Sequence, residues 1–116
     1  MNILYGIPNC DTVKRARGWL GAHGVAHVFH DFKEAGVPAG RLAAWVEAAG
    51  WERVLNRAGT TWRRLDVGAR AAVVDGATAQ ALMRGQASLI KRPVVEWDDG
   101  RITVGFDEAA WREALG

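Results

Sequence analysis

Ile3-Leu4-Tyr5-Gly6-Ile7-Pro8-Asn9-Cys10-Asp11-Thr12-Val13-Lys14-Arg15-Ala16-Arg17 carries the chain from an apolar run, through a Gly/Pro/Asn turn, straight into a helical pattern. Ile3 to Tyr5 reads as a buried strand. From Asp11 to Ala22 the residues Val13, Ala16 and Leu20 recur at helical spacing, with Trp19 beside them, and Gly21 and Gly24 supply the stop. Cys10, the sole cysteine, falls at the junction. A thiol there meets the unpaired first-turn N–H groups and the positive end of the helix macrodipole, both of which favour thiolate. Lys14 lies one helical turn on, where its ammonium can face the sulfur. Asp11 opposes this unless its carboxylate turns to cap the helix, and the balance predicts a thiol below the usual ~8.5. A lone cysteine reads equally well as a small buried hydrophobe, so position alone leaves nucleophile and core residue both open.

Working outward, Val25 to Phe32 alternates as a second strand, so the chain opens β-α-β. Pro38 starts a helix in which Leu42, Trp45, Val46 and Ala49 share a face, and Gly50 closes it. Trp51 to Leu55 reads as a short turn or helix, and Asn56 to Arg63 as a loop of polar and small residues. Asp75 is placed to cap a helix through Ala79, Leu82 and Met83 to Gly85. Val94 to Trp97, the turn Asp98-Asp99-Gly100 and Ile102 to Phe106 form a hairpin, and Asp107 caps a last helix with Ala110, Trp111 and Leu115. The sum is one α/β domain over residues 1–116. It has a helical insertion at roughly 37–87 and a C-terminal β-hairpin plus helix, the element order of a thioredoxin-like fold.

The 116 residues are enough for one domain with its own core, and the 49% hydrophobic and 24% charged fractions are those of an ordinary globule. No apolar run approaches the ~20 residues that span a bilayer, and no export signal opens the chain. A cytoplasmic protein without a membrane partner is expected, and the single cysteine fits a reducing compartment. The net charge is only +2. Of the fifteen cations, Lys14, Lys33 and Lys91 are the lysines and the rest are Arg, whose planar forks suit oxyanions and carboxylates. The basic residues form short clusters (Lys14-Arg15-Arg17, Arg63-Arg64, Lys91-Arg92) and no broad face, so direct nucleic-acid binding is not expected.

Arg57 and Arg92 each stand in a loop-like segment from which a guanidinium can project into a site, although solvated loop charges look the same. Arg92 precedes Pro93, and an X-Pro bond can be cis or trans. His23, His27 and His30 accompany no metal-binding pattern, and His27 and His30 lie on opposite faces of the expected strand, so no metal is expected. The six Trp occupy apolar positions of most elements and read as core, with Trp62 the best placed to line a site.

Four blocks in this order resemble the ArsC-like family, which includes arsenate reductases and the Spx/MgsR and YffB groups. They are Tyr5-Gly-Ile-Pro-Asn-Cys10-Asp-Thr-Val-Lys14-Arg-Ala-Arg17; Asn56-Arg57-Ala-Gly59-Thr60-Thr61-Trp62; Leu89-Ile-Lys-Arg92-Pro93-Val94; and Gly105-Phe106 before a helix. The resemblance covers nearly the whole chain and is closest to the YffB branch. It implies a thioredoxin-like fold with a helical insertion, Cys10 as nucleophile, Arg57 and Arg92 as site arginines, and Pro93 as a cis-proline facing the thiol. It also shows departures. Gly6 stands where these arsenate reductases carry His, no Arg stands near Gly105-Phe106, and Val13 stands where Spx proteins commonly carry a second cysteine.

The resemblance therefore implies a thiol-dependent oxidoreductase with no bound cofactor and with glutathione as co-substrate. The Cys10 thiolate would attack a disulfide or mixed disulfide, and glutathione or a glutaredoxin-type thiol donor would complete the cycle. Arg57 and Arg92 would hold substrate anions, Lys14 would keep the sulfur ionised, Pro93 would shape the facing wall, and Thr60 and Thr61 would add polar contacts. Two other readings stand beside it: a glutaredoxin-coupled arsenate reductase, and an Spx-like regulator that binds RNA polymerase without catalysis.

Overall fold

The computed structural model describes residues 1–115. The elements in order are β1 (Asn2–Gly6), α1 (Asp11–Ala22), β2 (His27–Asp31), α2 (Phe32–Ala35), α3 (Ala39–Ala49), α4 (Trp51–Val54), α5 (Thr60–Arg64), α6 (Val67–Ala71), α7 (Gly76–Gly85), a 3-10 turn (Ala87–Leu89), β3 (Val94–Glu96), β4 (Ile102–Val104) and α8 (Glu108–Leu115). They divide into two units, one of Met1–Asp31 with the segment from Arg92 on, the other of Phe32–Lys91. The sequence places a helical insertion at roughly 37–87; the helical unit of the structure runs from Phe32 to Lys91.

The first unit holds a four-stranded sheet in the order β2-β1-β3-β4. β1 pairs parallel with β2, from Asn2↔His27 to Gly6↔Asp31, and antiparallel with β3, from Ile3↔Glu96 to Tyr5↔Val94. β3 and β4 close the hairpin with Val94↔Val104 and Glu96↔Ile102. Leu4, Val13, Ala16, Trp19, Leu20, Val95, Trp97 and Trp111 form its core, with Cys10, Val25, Phe29 and Phe106 packed against them. Trp111 meets Trp97 and Phe106 edge-on, at 5.1 and 4.7 Å between ring centres, an arrangement aromatic quadrupoles favour. Asn2 is the one buried polar residue among the described residues, and it is satisfied at both ends. Its Nδ2 donates to Ala26 O and its Oδ1 accepts from Asp98 N, which ties β1 to the lead-in of β2 and to the hairpin turn.

The second unit is helical. Leu42, Trp45, Val54, Leu55, Ala79, Met83, Leu89 and Ile90 are buried in it, and Phe32 lies against Trp45. Gly50 ends α3 at φ 87°, a conformation side chains disfavour, which explains the helix stop after Ala49. At the start of α7, Asp75 accepts from Thr78 N while Thr78 Oγ1 accepts from Asp75 N, a reciprocal capping box.

The structure differs from the sequence expectation at several elements, among them the hairpin strands, which stop at Glu96 and Val104 rather than at Trp97 and Phe106. The second strand is His27–Asp31, shorter than Val25 to Phe32, because the chain turns into α2 at Phe32. Thr60–Arg64, expected as loop, is the helix α5. The helix α6 was not expected; Asp66 caps it by accepting from Ala69 N.

Candidate active site

The geometry around Cys10 follows from how β1 hands over to α1. Gly6 ends the strand, Ile7-Pro8-Asn9 makes the turn, and Cys10 is the N-cap of α1 with extended backbone angles (φ −105°, ψ 123°). Its carbonyl accepts the first helical bond, from Lys14 N at 2.9 Å. The side chain is partly buried, beside the core and still open to solvent.

The antiparallel pairing of β1 with β3 brings a second piece of chain to this point. With Tyr5 opposite Val94, the residues after the end of β1 face those just before β3, namely Arg92 and Pro93. The Arg92–Pro93 peptide bond is cis, and Pro93 O accepts from Gly105 N at 2.8 Å. Partial burial pushes the Cys10 thiol up. Against it act the N–H of Val13, a hydrogen bond from the Arg92 side chain, the Arg92 charge and the N–H of Thr12, and the net effect holds the thiol below its ordinary value. The two first-turn N–H groups act from in front of the sulfur, although neither closes a cap bond of full geometry.

The structure thus brings Cys10 and Arg92 together, with the cis peptide bond to Pro93 directly after Arg92. Lys14, expected to keep the sulfur ionised, is exposed and is not among the groups that shift it. The cation acting on the sulfur is Arg92. Helical spacing points to Lys14 because it sees only local neighbours, whereas Arg92 arrives through strand pairing.

Arg57, Thr60 and Thr61 belong to the helical unit. Arg57 is exposed, with its guanidinium carbon 5.7 Å from the centre of the Trp51 ring. Thr60 opens α5, and Thr61 Oγ1 shares a 2.9 Å hydrogen bond with Ser88 Oγ. Trp62 is half-buried in the same unit. Of the histidines, His27 accepts from Arg17 Nε and His23 stacks on Trp19. Among the described residues no group of three or more His, Cys, Asp or Glu side chains could hold a metal.

A strand-turn-helix that presents a thiol at the helix N-terminus, on a four-stranded mixed sheet with a cis-proline at the entry to β3, defines a thioredoxin-like protein. The ArsC family model matches residues 5–114, and the chain belongs to that family. It is similar to the solved structure of the YffB protein, at 49% identity and a TM-score of 0.94, with all of each chain covered. An arsenate reductase (ArsC) related protein from Brucella melitensis is 46% identical with a TM-score of 0.76, over 98% of this chain and 93% of that one. An uncharacterized protein of Haemophilus influenzae is 37% identical over 115 residues, 99% of each chain.

Proposed function

We propose that the protein is a monothiol reductase that works with glutathione. One observation carries the reading: an accessible thiol, at the N-terminus of α1 and beside Arg92, held below its ordinary value. A thiolate at neutral pH is the attacking species in thiol–disulfide exchange. The Cys10 sulfur attacks one sulfur of a disulfide, forms a mixed disulfide, and the other half leaves as a thiolate that takes up a proton. No second cysteine exists to displace the adduct, so an external thiol attacks the mixed disulfide and returns Cys10 as thiolate. With glutathione this second step yields glutathione disulfide; a glutaredoxin-type protein is the other donor of the same chemistry. Arg92 supports an additional role in holding a substrate carboxylate by forked hydrogen bonds. For Arg57, Thr60 and Thr61 the assignment to substrate binding rests on the family resemblance alone.

The test is the rate of Cys10 alkylation against pH, with and without glutathione disulfide. The reading expects a thiol that titrates below ~8.5 and that becomes blocked by a reducible glutathione adduct. A thiol that titrates at or above that value and forms no adduct overturns it.

Family membership favours a second reading, reduction of arsenate through a Cys10–arsenic adduct with Arg92 stabilising the developing charge. Gly6 in the place of a family His, and the lack of an Arg near Gly105-Phe106, weigh against it. Turnover of arsenate with glutathione and glutaredoxin separates it from disulfide exchange. A polymerase-binding role would be favoured over both by capture of polymerase that survives Cys10→Ser.

A further inference from the structure

Gly6, the last residue of β1, is buried and directly under the first turn of α1. A Cβ built on it would lie 2.8 Å from Val13 Cγ2, 3.5 Å from Cγ1 and 3.7 Å from Cβ. The first distance is well inside van der Waals contact, so the Val13 side chain already rests on the Gly6 backbone. Gly6 is not among the glycines at positive φ. Its backbone angles therefore suit any residue, and what the position requires is the missing side chain.

Val13 cannot easily yield. It is fully buried among Leu4, Ala16 and Leu20, and a β-branched side chain in a helix has essentially one χ1 rotamer. A group pressing on its Cγ2 is relieved mainly by moving the helical turn that carries it. That turn is the one whose N–H groups, from Thr12 and Val13, face the Cys10 sulfur.

We infer that Gly6 and Val13 form a positioning contact that sets the height of the first turn of α1 above the end of β1 and so aims its N–H groups at Cys10 Sγ. The contact itself, between the Gly6 backbone and the Val13 side chain, does not include the sulfur; it acts through the placement of the Thr12 and Val13 N–H donors. Close approach at Gly6 and bulk at Val13 are two halves of one spacing: enlarging the first lifts the turn, and trimming the second lets it settle. Changing both in compensation restores the separation, because two alanines would meet Cβ to Cβ at 3.7 Å, an ordinary contact.

The inference rests on Cys10 being the reactive group of the proposed reductase, and the experiment reads the sulfur directly. Iodoacetamide alkylation is followed against pH for the wild type, Gly6→Ala, Val13→Ala and the double variant, with the urea midpoint of each measured in parallel. The expected result is a several-fold loss of alkylation rate at pH 7 in each single variant, with the titration moved upward. The double variant is expected to recover the wild-type profile even if its urea midpoint stays low. A purely structural role predicts lowered midpoints with unchanged titrations, and that outcome overturns the inference. So does a double variant whose titration stays displaced. If Gly6→Ala does not fold, Val13→Ala and the double variant decide: an unchanged titration in Val13→Ala is sufficient to overturn it. An ordinary thiol profile in the wild type would instead overturn the reductase reading.

Discussion

Arg92 and Cys10 lie far apart in sequence, and the pairing of Tyr5 with Val94 makes them neighbours. Arg92 both hydrogen-bonds to the sulfur and supplies charge to it, so its removal acts on the thiolate twice. A hydrogen bond to a charged group contributes about 1.5–3 kcal/mol, and Arg92→Ala is expected to slow alkylation at pH 7 by about tenfold or more. Arg92→Lys keeps a point charge and loses the planar fork, so its rate falls between the two. Equal rates in all three proteins would remove Arg92 from the site. The same interaction is linked to stability. Cys10 is more acidic folded than unfolded, so its contribution is absent below the folded value, grows with rising pH, and is complete above the unfolded thiol value near ~8.5. Urea midpoints of the wild type and Cys10→Ser are therefore expected to diverge as pH rises through that window and to run parallel at acid pH. Divergence toward low pH would contradict the assigned direction.

At the scale of elements, the sheet depends on a polar residue inside an apolar strand. Asn2 donates to Ala26 O and accepts from Asp98 N, and Asn2→Ala leaves both backbone groups without that partner. Each of these part-buried hydrogen bonds contributes about 0.5–1.5 kcal/mol, so chemical denaturation is expected to show a loss of about 1–3 kcal/mol for the pair; a change under about 0.5 kcal/mol would mean that solvent replaces the bonds. Asn2 gave no signal in the sequence, because its partners come from two distant segments. The long elements were legible for the opposite reason: Val13, Ala16 and Leu20 on α1, and Leu42, Trp45 and Ala49 on α3, repeat often enough to reveal their period. Helices of four or five residues, such as α5 and α6, complete little more than one turn and show no period, so their segments read as loop. The site divides along the same line. The thiol and its helix N-terminus are local and readable; the cation that acts on the thiol, and the Gly6–Val13 contact beneath the turn, exist only once strands pair and the helix packs.

Across the whole molecule the governing fact is that Cys10 is the only thiol in 116 residues. In the proposed cycle the adduct formed at Cys10 cannot be resolved from within, and its lifetime depends on the concentration of an outside thiol. Val13, at the position where a dithiol relative would carry its second sulfur, is fully buried and faces Gly6. A cysteine there sits three residues after Cys10 on the first turn of α1, a spacing a disulfide bridges, so Val13→Cys is expected to form an internal disulfide on oxidation, read as the loss of both free thiols. The wild-type expectation is equally specific. Exposure to glutathione disulfide is expected to add a single glutathione per chain, visible in the intact mass, and to leave Cys10→Ser unmodified. Added glutathione then regenerates the free thiol at a rate that rises with its concentration. Accumulation of a covalent dimer through two Cys10 residues, with no glutathione adduct, would show that the sulfur is paired by a second copy of the chain and would overturn a cycle driven by a small external thiol.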